Sequence, residues 1–99
     1  MSASTHINQE QLRGLISRDM QIDDPSGKNY TIGELDAENI FQDDSERYNS
    51  LHDSIKKEGI KVPLSVSLKQ NLLIDGHHRA IVARDLGIEK IPIMVHEED

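Results

Sequence analysis

The 99-residue sequence contains no cysteine and no tryptophan, and its aromatics are one phenylalanine and two tyrosines. Without thiols there is no disulfide framework, no thiolate nucleophile and no cysteine-based zinc site, and the composition fits a reducing compartment. With hydrophobic residues at 35% and aromatics at 3%, the chain can build one modest, aliphatic core. Long apolar runs are also missing, and the N-terminal MSASTHINQEQ has neither the basic start nor the apolar stretch of a secretory signal. The sequence therefore predicts a soluble, cytoplasmic protein. Basic residues are scarce too: 11 stand against 18 acidic ones, for a net charge of −7. Non-specific duplex binding depends on neutralising phosphates with Lys and Arg, so this balance argues against it. The cations present are grouped, at Lys56, Lys57, Lys61, His77, His78, Arg79 and Arg84, which suits a small anionic ligand better than a long polyanion.

What is present reads as an α+β chain. Leu12, Leu15, Ile16 and Met20 recur at helical spacing, with Asn8 and Gln11 as a capping pair, and predict a helix within residues 8–20. Asp23 to Gly27 is a loop by composition, and Tyr30 to Ile32 and Leu35 to Ile40 predict a short strand and a turn. An amphipathic helix follows over Ser45 to Glu58, with Tyr48, Leu51, His52 and Ile55 on one stripe. Asp44 or Ser45 caps it and Gly59 ends it. His52 belongs to that stripe and reads as a packing residue rather than a ligand. Pro63 opens a strand at Leu64 to Leu68, Lys69 to Asn71 turns the chain, and a strand from Leu72 completes a hairpin. Ile91 to Val95 reads as a last strand before an acidic end.

The chemistry concentrates where the strand at Leu72 to Ile74 runs through Asp75 and Gly76 into a helix that opens His77, His78, Arg79 and stops at Gly87. A residue without Cβ lets an anion approach the backbone, and the unpaired amides of a first helical turn favour negative charge. On a helical wheel Arg79 shares the apolar face of Val82, Ala83 and Leu86, so its guanidinium needs an anion there. A structural carboxylate (Asp75, Glu46 or Glu34) and a ligand phosphate both satisfy that need. His77 and His78 are adjacent on a helix and so point apart.

The order Ser54 to Leu64 with Gly59 and Pro63, then Ile74-Asp75-Gly76-His77-His78-Arg79-Ala80, then Asp85 to Pro92, resembles the ParB/sulfiredoxin-like domain over roughly residues 35 to 96. That resemblance implies a small mixed β-sheet with flanking helices. It divides the chain into an N-terminal helix and loop (1–30), the domain (31–96) and an acidic tail (97–99). In the family the turn holds nucleotide phosphates: ParB partition proteins bind CTP, sulfiredoxin uses ATP, and a related free serine kinase uses ADP. By resemblance, Gly76, His77, His78 and Arg79 would hold the phosphates of such a nucleotide, with Mg²⁺, while Gly59, Ile60, Lys61 and Pro63 would line the base or ribose side. His77, His78 and Asp75 are the candidate catalytic residues if phosphoryl transfer occurs, and the general base is open among Glu34, Asp36, Glu38, Asp43, Asp44 and Glu46. Sulfiredoxins carry a nucleophilic cysteine where this chain has His77, which excludes sulfinic acid reduction. The Asp-Gly-His pattern looks closer to the serine kinase branch and to short ParB-like proteins of phages and mobile elements. Two alternatives stand beside nucleotide binding: a DNA-binding or nuclease protein with a metal at the histidines, and a non-catalytic module, alone or as a homodimer, whose acidic surface meets a protein partner.

Overall fold

A computed structural model describes residues 2–17, 30–35, 41 and 44–96. In chain order these form β1 (Ser2–Ile7), α1 (Gln9–Arg13), β2 (Ile16–Ser17), β3 (Tyr30–Thr31), α2 (Ser45–Glu58), β4 (Leu64–Ser67), β5 (Leu72–Asp75), α3 (His77–Leu86) and β6 (Ile91–His96). The strands make one six-stranded sheet in the order β1-β6-β4-β5-β2-β3. It is mixed, as the resemblance implies: β4 with β6 and β2 with β5 run parallel, and the other pairs antiparallel.

Alternation along the strands sets the core. Leu64 and Val66 of β4, Leu73 of β5, and Ile91 and Ile93 of β6 are buried, and so are Ala80, Ile81, Val82 and Ala83 of α3. Small residues at 80 and 83 let α3 approach the sheet closely. The helix over Ser45 to Glu58 forms with the expected ends, its N-cap Asp44 accepting from the Arg47 amide and its C-cap Gly59 donating to the Ile55 carbonyl. The β4–β5 hairpin turns through Asn71, whose φ of 53° an asparagine tolerates well.

The N-terminal segment departs from expectation. The helix expected within residues 8–20 keeps its Asn8/Gln11 capping box but stops at Arg13, because Ile16 and Ser17 pair as a strand with Leu72 and Leu73. The Ile16 amide donates to the Asn71 carbonyl at 2.8 Å and the Ile32 amide to the Leu15 carbonyl at 2.9 Å, so ladder bonds override the helical spacing. Met20 lies outside the described residues. Residues 2–7, whose polar sequence signalled no strand, pair with β6 over their whole length. At the hairpin, Leu68 belongs to the turn rather than to β4. The loop at Asp23 to Gly27, the turn residues 36–40 and the tail 97–99 lie outside the described residues.

Candidate anion-binding cleft

The cleft opens where β5 becomes α3. Asp75 is exposed, and its Oδ1 accepts the Gly76 amide at 2.9 Å. Gly76 adopts φ 96°, ψ 28°, and a Cβ there would lie 2.8 Å from Leu64 Cδ2 and 3.2 Å from Arg79 Nη2, so this turn accepts only glycine without a shift. As N-cap, Gly76 offers no side-chain acceptor, and the first turn of α3 holds no acidic residue. The positive end of α3 is therefore met by no capping oxygen of its own.

Arg79 lies across this turn, half-buried, with its Nε shielded from solvent and without a hydrogen-bond partner. The structural carboxylate is not realised among the described residues: no ion pair forms at Arg79. Asp75 is turned to its neighbouring amide, and Glu34 accepts from the Thr31 amide and hydroxyl at 3.1 and 3.0 Å. Glu46 is exposed on the first turn of α2. A guanidinium with a buried N–H unmatched is short of an acceptor.

His77 is buried at the base, while His78 is half-buried with its ring edge-on to Phe41 at 4.7 Å between centroids. The opposite wall is α2, which contributes Arg47, Ser50, Leu51 and Ser54 to a cleft of about 670 Å³. That volume falls within the roughly 300–1,000 Å³ typical of small-molecule sites. These α2 residues escaped sequence reasoning, although their spacing of three, four and seven places them on one helical face. Gly59, Ile60, Lys61 and Pro63 do not line the cleft. They form the exposed to half-buried connection from α2 to β4, where Lys61 Nζ pairs with Glu58 Oε2 at 2.9 Å.

Among the described carboxylates, Asp75 alone lines the cleft. Asp44 caps α2, and Asp36, Glu38 and Asp43 lie outside the described residues. Among the described residues no group of three or more His, Asp or Glu side chains converges to hold a metal ion. His52 packs its ring on Tyr48 at 5.8 Å, as the stripe reading expects.

A hydrogen-bonded strut fixes the two helical walls. The Tyr48 hydroxyl of α2 donates to Asp85 Oδ2 of α3 at 2.6 Å, and Arg84 Nε donates to Asp85 Oδ1 at 2.9 Å. Arg84 Nη1 also donates to the carbonyls of Ile32 and Leu35. The sequence grouped Arg84 with the cations suited to a small anionic ligand, but its side chain is committed to structure and does not line the cleft.

The cleft thus presents helix amides, two arginines, two histidines and two serine hydroxyls against one carboxylate, an array suited to an anion of several oxygens. No helix among the described residues is long and apolar enough to cross a membrane. No curated protein is similar enough in sequence to count as a match. Among solved structures, a Pnob8-like ParB-N domain superposes over 100% of this chain with a TM-score of 0.60 at 17% identity. The chain spans about a third (31%) of that protein's length. The family model of the ParB N-terminal domain matches residues 26–99, which take in α2, the Gly76 turn and α3, and so the chain belongs to the ParB N-terminal domain family.

Proposed function

We propose that this chain is a nucleotide-binding module that holds nucleotide phosphates in the cleft between α2 and α3. The observation that carries this reading is the buried Nε of Arg79, which lacks an acceptor beside an uncapped helix N-terminus. Phosphate oxygens suit both at once, the guanidinium through its planar fork and the N-terminal end of α3 through the helix dipole. Gly76 supports the reading because its left-handed turn opens α3 with no capping side chain of its own. Arg47, Ser50 and Ser54 reach the ligand from the other wall.

Mg²⁺ fits as an ion carried in with the phosphates. It keeps most of its ligands as phosphate oxygens and water, and Asp75 is the cleft carboxylate placed to bond such a water. Bound there, the ion supplies neutralisation of phosphate charge. The chain's own residues hold the phosphates and, if a phosphoryl group moves, Arg79 stabilises the charge that develops while His77 or His78 donates to an oxygen. Gly59, Ile60, Lys61 and Pro63 are assigned to the base or ribose side by family resemblance alone. Family membership, and the turn that prompted it, make CTP, ATP and ADP the nucleotides to try.

Isothermal titration with CTP, ATP, ADP and GTP plus Mg²⁺ tests this, using the whole chain and an Arg79→Ala variant shown by circular dichroism to be folded. The expected outcome is saturable binding of one nucleotide, weakened about tenfold or more in the variant, as loss of a charge-assisted bond of 1.5–3 kcal/mol requires. A folded protein that binds none of the four overturns the proposal.

A further inference from the structure

The sheet ends on one side in an open strand. β1 pairs with β6 along Ser2 to Ile7 and stands at the end of the strand order, so among the described residues one side of its backbone has no partner strand. The other edge, β3, is two residues long. Long edges are normally blunted by charges, proline or bulges, because exposed amides and carbonyls template further pairing. β1 has none of these guards: residues 2–7 contain no Asp, Glu, Lys, Arg or Pro in a chain that is 29% charged. Its register with β6 runs unbroken from Ser2 to Ile7, so no bulge turns the edge away.

We propose that β1 is an interface at which two copies of this chain pair antiparallel, edge to edge, joining their sheets into one. The occupant follows from symmetry and charge. An antiparallel edge is self-complementary, so a two-fold pair uses β1 on both sides and leaves no long edge over. A head-to-tail pairing would need a second edge of similar length, and among the described residues β3 does not supply one. Two copies each carrying −7 repel over most of their surface, whereas the uncharged β1 lets them meet without opposing like charges. Thr5 and His6 are exposed, so a partner strand reaches this edge without displacing described side chains there. The inference stands apart from nucleotide binding, since β1 contributes nothing to the cleft.

Sedimentation velocity over a hundredfold concentration range, with Thr5→Asp, Thr5→Lys and their equimolar mixture beside the wild type, tests it. The wild-type mass should climb toward twice the monomer's, each variant should remain monomeric by repulsion across the joint, and the mixture should recover the dimer. A wild type monomeric throughout, or variants that dimerise as it does, overturns the proposal. Should a variant fail to fold, amide exchange of the wild type decides: protection of residues 2–7 must rise with protein concentration, and unchanged protection overturns the interface.

Discussion

The hydroxyl of Tyr48 and the carboxylate of Asp85 meet at 2.6 Å and join the two helices that wall the cleft. Burial of the ring, and then the hydrogen bond to Asp85, push the Tyr48 hydroxyl up to about 12 from 10. A group whose pKa is raised on folding stabilises the fold fully below its unfolded value and loses that contribution as pH climbs through the folded one. Stability should therefore fall between pH 10 and about 12, and spectrophotometric titration at 295 nm should show a tyrosine ionising late. Tyr48→Phe should abolish the late step, which persists in the variant only if another tyrosine carries it.

Arg84 illustrates how a cation can be structural although it reads as surplus charge. Its guanidinium is nine-tenths buried, and its fork serves two carbonyls of the 32–35 segment and the Asp85 carboxylate. Arg84→Ala should cost about 2–4 kcal/mol, since it strands those acceptors, and Arg84→Lys should recover less than half, because one ammonium cannot span them. Urea unfolding measures both. Full recovery by lysine would mean that charge rather than geometry is what matters.

Gly76 and Gly87 both sit in left-handed backbone, with φ of 96° and 70°, and separate strain from crowding. A Cβ at Gly87 meets nothing within 4 Å, so Gly87→Ala should cost the left-handed penalty of about 1–2 kcal/mol. At Gly76 the same penalty is joined by contacts with Leu64 and Arg79 that are too close. Gly76→Ala should be the more destabilising of the two in thermal unfolding, by about 1 kcal/mol or more, and equal costs would show that the turn has room to relax.

The parts legible in the sequence were those fixed by local chemistry. Asp44 and Gly59 bound α2, Gly76 and Gly87 bound α3, and the order of these pieces carried the family. Residues 2–7 were illegible because a polar edge strand is held by its ladder to β6, and nothing within SASTHI records that partner. Ile16 was misassigned for a related reason: its helical spacing is real, but its amide is taken by Asn71 from 55 residues away. In the cleft, the β5–α3 side was readable from one continuous motif. Arg47, Ser50 and Ser54 were missed because their role depends on how α2 crosses α3, which periodicity along α2 alone does not contain.

Arg79 permits a test that distinguishes a ligand group from a fold group without knowing the nucleotide. If its unmatched Nε awaits an anion, truncation should cost the apo fold little, within about 1 kcal/mol, since no pair is lost and an unsatisfied buried donor is removed. A polyphosphate, by contrast, should raise the melting temperature of the wild type alone. At a hundred times its Kd a ligand adds about 2.7 kcal/mol, which for a domain of this size is roughly 10 °C or more. Pyrophosphate with Mg²⁺ is the probe, because it presents the phosphates without a base. Equal shifts in wild type and Arg79→Ala would mean that the anion binds elsewhere. A variant several kcal/mol less stable without any anion would instead make Arg79 a structural residue.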